Sequence, residues 1–201
     1  MATSGTYVTE VPLKGSAEKH YKRWRNENHL FPDAIGHHIQ GVTVHDGQWD
    51  SHGAIKIWNY TIVILPKLKV IFAVYGTTIR NLAIAFIRKK SLWKNRETLK
   101  LVERYKTKHI NEDGKPEVFK EKRDIDDENM AVTVRGLEGH VMEQLKVFDT
   151  VLQFIQKSPD NIVCKITMTW EKRTDDSPEP INYMKFVKSL AADMDAHVLK
   201  A

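Results

Sequence analysis

The chain has 201 residues, 41% hydrophobic and 28% charged, with a net charge of +5 and one cysteine. That length suits one domain with a proper core. The lone Cys164 excludes an internal disulfide, no Cys/His spacing suits zinc, and no uncharged apolar run reaches membrane length. The opening MATSGTYVTEV lacks a basic-then-apolar pattern, so no secretory signal and a reducing, cytoplasmic setting are expected. The positive charge is local. Residues 63–112 hold twelve Lys/Arg against three acids, a net of +9, and the rest of the chain carries −4.

In chain order, residues 6–13 are β-rich, with Pro12 marking an edge or an end. Ser16 is a suitable N-cap for a helix over 17–28 that turns Ala17, Tyr21 and Trp24 inward. A short helical turn follows at His29, Leu30 and Phe31, broken by Pro32. Residues 39–45 and 54–60 alternate as paired strands around a loop, DGQWDSHG. The block 63–112 has no Asp and one Gly, and lacks the turn chemistry found elsewhere. Its first half is apolar, and its second half has the spacing of a basic amphipathic helix. Alternation resumes over 117–125, 130–137, 141–155 and 162–172, separated by turns at 126–129, 136–139 and 158–161. Short strands joined by tight turns predict an antiparallel meander. Residues 180–201 close the chain as a long helix. Tyr183, Met184, Val187, Leu190, Ala191, Met194 and Val198 recur at three- and four-residue spacing on one face. Ser177 or Glu179 is placed to cap it, and the sheet must supply the surface that this face packs on.

Three stretches carry a resemblance. They are SAEKHYKRWRNENHLFPDAIGHHIQGVTVHDGQWDSHGAIKIWNYT, DGKPEVFKEKRDIDDENMAVTVRGLEGHVMEQLKVFDTVLQFI and CKITMTWEKRTDDSPEPINYMKFVKSLAADMDAHVLKA. The sequence resembles the major latex protein family, within the superfamily of the major birch pollen allergen. The resemblance implies an α+β helix-grip fold: a seven-stranded antiparallel β-sheet wrapped around a long C-terminal α-helix, with two short helices between strands 1 and 2. In that family NYT runs almost directly into DGKPEVFKE. The expected organisation is therefore one domain over 1–201, interrupted by an insert at 63–112 in the strand 3–strand 4 hairpin, with the composition of translated intron. Lengthening that loop costs roughly 2–3 kcal/mol in closure entropy, a large part of a typical domain's margin of about 5–15 kcal/mol.

The resemblance also implies a plant carrier of amphipathic ligands (sterol, flavonoid, fatty acid or hormone-like), linked to defence and stress, with a cavity between sheet and helix. The side chains expected around it are Tyr7, Trp58, Tyr60, Phe119, Phe148, Met168, Trp170, Tyr183, Met184, Val187 and Met194. A cyclase or isomerase using the same cavity is the alternative, and needs a titratable group there, with His20, Tyr60 and Tyr183 available. No nucleophile elbow, HExxH or paired-carboxylate signature occurs, so no catalytic residue is assigned. The loop at 46–53, with Gly47 and Gly53, lacks the Lys-Ser/Thr and following helix of a phosphate loop and reads as strand punctuation. His29, His37, His38, His45 and His52 suggest no metal, because neighbours on an extended segment point to opposite faces. Cys164 reads as a small buried residue. No cofactor, membrane span or nucleic-acid partner is expected. A hydrophobic small molecule is the expected partner, and a monomer the expected state.

Overall fold

The computed structural model describes residues 3–62 and 116–199, so the block at 63–112 lies outside it. The elements run β1 (Ser4–Leu13), α1 (Ala17–Asn26), a 3-10 turn (Asn28–Leu30), α2 (Phe31–Ile35), β2 (Ile39–Asp46) and β3 (Ile55–Thr61). After the block come β4 (Pro116–Asp126), β5 (Ala131–Gly139), α3 (His140–Gln144), β6 (Leu145–Ser158), β7 (Asn161–Lys172) and α4 (Ile181–Val198). The seven strands form one antiparallel sheet in the order β1-β7-β6-β5-β4-β3-β2. This is the helix-grip architecture.

β1 and β2 follow one another in sequence but lie at opposite edges of the sheet. The α1–α2 segment must therefore cross a face, and it packs there on β5, β6, β2 and α4. Pro12 costs nothing on β1, an edge strand, because its missing N–H faces no second neighbour. β3 and β4 pair directly, with Thr61 opposite Pro116.

Ser16 caps α1, its Oγ accepting from the Lys19 N–H at 3.3 Å. Ser16→Ala is expected to cost about 1 kcal/mol, read from the urea midpoint.

Three local expectations are corrected. Pro32 does not break the second helix. It occupies the first turn of α2, where a backbone N–H would have no intrahelical acceptor, so its lack of one costs nothing. The strand expected over 141–155 begins only at Leu145. Val141 and Met142 are both buried, which alternation forbids, and a single turn of helix accommodates them. Neither Ser177 nor Glu179 caps α4. Ser177 Oγ accepts from Thr174 N, and Glu179 accepts from the Tyr7 hydroxyl at 2.5 Å. The buried face of α4 also includes Phe186, while Tyr183 and Val187 are only half-buried. Among the described residues no helix is long and apolar enough to cross a membrane.

Candidate functional site

Helix α4 makes its main sheet contacts on β1 and β7 and also packs on α1 and α2. Toward β3–β6 it leaves a cavity of about 90 Å³, several times the space that one water needs. Trp58 and Tyr60 of β3, Phe119 of β4, Phe148 of β6, and Tyr183 and Val187 of α4 all line it. Aromatic packing holds the wall. Phe119 meets Phe148 edge-on at 5.9 Å, Phe148 meets Tyr183 at 5.5 Å, and Tyr60 lies 5.3 Å from Phe186.

Five expected residues do not reach this space. Tyr7 lies on the far edge strand, opposite Met168 in register, with its ring 5.7 Å from Trp170. Its hydroxyl is pushed up to about 12 by burial and by the Glu179 carboxylate. Met168, Trp170, Met184 and Met194 are buried in the core away from the cavity. The helix rests directly on β1 and β7 there. Trp24, Phe31, Ile39, Phe186 and Leu190 line the cavity without having been expected. Phe186 lies three residues after Tyr183 and four before Leu190, so the three-and-four spacing of α4 includes it.

Two of the lining side chains, Tyr60 and Tyr183, carry polar tips. Tyr60 and Tyr183 both donate to Glu117 Oε2, at 2.6 and 3.0 Å. Burial first, then the neighbouring phenol and carboxylate, raise the Tyr60 pKa far above its ordinary value; burial and Glu117 raise that of Tyr183. Both phenols stay protonated at physiological pH and act as donors.

The site also holds charge in near-complete burial. Lys56, Glu121 and Arg123 are 1%, 3% and 3% exposed. Lys56 lies opposite Glu121 in the β3–β4 register. Its ammonium donates to Asn28 Oδ1 at 2.8 Å and to the Trp49 carbonyl at 2.6 Å. Arg123 donates through Nε to Glu121 and through Nη1 to the Trp24 carbonyl at 3.0 Å, and its guanidinium lies 5.0 Å from the Trp58 ring centre. Burial and the Arg123 charge push the Lys56 pKa down to about 7, against the pull of Glu121 and Asp50. The signal for this cluster was in the sequence. Lys56 shares a strand face with Trp58 and Tyr60, and Glu121 and Arg123 share one with Phe119.

The loop at 46–53 shapes this cluster. Gly47 and Gly53 adopt φ of +81° and +80°, the left-handed region, and Gly53 donates to the Arg123 carbonyl at 2.6 Å.

Two histidine expectations change. His37 and His38 lie in the turn after α2, not on a strand, so both rings swing to one side. Their Nε2 atoms each lie 3.0 Å from Asp193 Oδ2, which ties the α2–β2 corner to α4. The ligand-type atoms of these three residues fall within 4.8 Å of one another. Burial and the neighbouring His37 lower the His38 pKa, opposed by Asp193. His20 faces Asp195 at 3.2 Å, with Nε2 2.8 Å from the Lys14 carbonyl, and does not line the cavity. Cys164 is buried, and burial pushes its thiol up to about 12, so it is a poor nucleophile.

A family model for the pathogenesis-related protein Bet v 1 family matches residues 2–64 and 101–201. MLP-like protein 328 and MLP-like protein 329 of Arabidopsis thaliana are 66% and 64% identical to this chain over 201 residues, each covering all of both chains. Among solved structures, major latex-like protein 151 of Panax ginseng matches with a TM-score of 0.70 at 21% identity, over 98% of this chain and 99% of its own. Norcoclaurine synthase of Thalictrum flavum, solved with dopamine and hydroxybenzaldehyde, matches at TM-score 0.60 and 11% identity, over 98% of this chain and 87% of its own. At those identities the structural likeness speaks for the fold alone.

Proposed function

This chain belongs to the pathogenesis-related protein Bet v 1 family, in its major latex protein branch, and from that premise we propose that it carries an amphipathic small molecule in the cavity under α4. The family binds hydrophobic ligands. One observation carries the reading: the helix and sheet enclose a wall of aromatic and aliphatic side chains, with few polar groups among them. Apolar burial drives binding at about 25 cal/mol per Å². The polar groups orient the ligand. Sterols, flavonoids, fatty acids and hormone-like terpenoids fit that chemistry, and a sterol-sized body requires α4 to move off the sheet. A monomeric cytoplasmic carrier acting in plant defence or stress is the role we assign.

A second reading is a cyclase or isomerase in the same space. The Tyr60–Glu117–Tyr183 arrangement favours it, because it places two proton donors on one carboxylate beside the cavity. Product formation from an alkaloid or polyketide precursor, lost in Tyr60→Phe, is the result that selects it. Residues 63–112 are proposed to be an insert that the carrier does not need.

Native mass spectrometry of the protein from plant tissue tests both points. An adduct that leaves on denaturation, on a chain lacking the mass of 63–112, is the expected result. A full-length chain makes the insert part of the working protein. A ligand-free chain that also takes up no apolar compound contradicts the carrier.

A further inference from the structure

We propose that His37, His38 and Asp193 form a site for a divalent transition-metal ion of the zinc class, where the α2–β2 corner meets α4. None of the three lines the cavity, so the site stands apart from the carrier reading. The two histidines are adjacent in the turn after α2, with ring centres 4.2 Å apart and planes inclined at 42°. On extended chain they would point to opposite faces. The turn instead brings both Nε2 atoms to 3.0 Å from one and the same oxygen, Asp193 Oδ2, and no described residue bonds Oδ1. Three donor atoms thus converge on a point, all within 4.8 Å of one another. Ligand atoms at about 2.0–2.2 Å from a four-coordinate zinc stand about 3.3 Å apart. The two nitrogen–oxygen separations need only open slightly to admit the ion.

The setting leaves room for the remaining ligand. His38 is 2% exposed and meets the Phe186 ring edge-on at 5.5 Å, which walls the site on the protein side. His37 and Asp193 are 58% and 43% exposed, so water completes the coordination from the other side. Two imidazoles and a carboxylate suit zinc and its neighbours, whereas magnesium and calcium take oxygen ligands. Without metal, each ring donates its Nε2–H to Asp193. With metal, each neutral ring moves that proton to Nδ1 and offers the Nε2 lone pair, so no net proton is lost. The Nδ1 of His37 can meet solvent, but that of His38 is buried with no partner. A coordinated His38 therefore lacks the usual acceptor behind it, and the ion is expected to exchange rather than stay resident. Bound there, it joins the corner before β2 to α4, beside a side chain of the cavity wall.

The test is calorimetric titration of the untagged full chain with zinc, after removal of metal by a chelator. One tight site is expected. His37→Gln and Asp193→Asn alter exposed side chains, and each is expected to weaken zinc by at least about ten-fold. His45→Gln removes an exposed imidazole elsewhere and is expected to leave the affinity unchanged. Zinc is also expected to raise the urea midpoint of the wild type and not that of Asp193→Asn, because the ligands come from two elements that unfolding separates. Magnesium in large excess is expected not to displace the zinc, and displacement overturns the assignment to this metal class. No zinc binding by the wild type, or equal affinity in His37→Gln and Asp193→Asn, overturns the site and leaves the carrier reading untouched.

Discussion

Lys56→Met is expected to flatten the dependence of stability on pH between about 7 and 9. In the folded protein the ammonium is buried on β3 and its pKa is pushed down to about 7, against 10.5 in the open chain. Between those values the unfolded chain holds a proton that the folded chain has released. Folding stability therefore rises with pH across that window, by up to about 1.4 kcal/mol per pH unit, and levels off below pH 7 where both states are protonated. The wild-type protein is expected to gain about 2 kcal/mol from pH 7 to pH 9 in urea unfolding. Cys164 and the buried tyrosines act in the opposite direction only higher up, because their raised pKa values penalise folding once the open chain ionises. The Met variant has no such proton, so its profile stays level through the window. An equal rise in both proteins shows that the slope does not come from Lys56.

Gly139→Ala is expected to remove most of the folded protein. Gly139 sits at φ +118° and ψ 178°, a conformation that side-chain-bearing residues avoid. A β-carbon there stands 2.1 Å from the Val118 carbonyl oxygen and 3.0 Å from the Phe119 α-carbon. The overlap is with backbone, so no rotamer change relieves it. A loss of about 4 kcal/mol or more is expected, a large part of a typical domain's margin. The same corner turns the chain from β5 into α3 and pairs with Phe119, so any soluble remainder is also expected to lose the cavity wall. Native-like yield and an unchanged urea midpoint contradict this reading of the corner.

The fold was legible because most of its strands bury one face only. Trp58 and Tyr60, or Leu152 and Phe154, repeat every second residue, and polar turns separate the runs. The closing helix was equally clear from its three-and-four spacing. The part that failed was short and local. Val141 and Met142 are adjacent buried residues in a single turn of helix, too short to show a period. The site was half legible. Alternation selects the inward face of a strand, but only the crossing of α4 over β1 and β7 decides where that face meets a helix and where a cavity remains. Met168 and Phe148 look alike in sequence, and one is core while the other is wall. Lys56, Glu121 and Arg123 escaped because charged residues usually face water, although their positions on β3 and β4 placed them inside. His37 and His38 escaped because a turn replaced the assumed strand.

The most direct test of the carrier is a fluorescence titration with N-phenyl-1-naphthylamine, comparing the wild-type chain with Val187→Trp. Val187 lines the cavity from α4 and is half-buried, so an indole there occupies the space while the helix keeps its other contacts. Saturable one-to-one binding by the wild type, and at least about ten-fold weaker binding by a variant of unchanged fold, is the predicted result. Equal binding by both proteins places the dye elsewhere and contradicts a ligand site between α4 and the sheet.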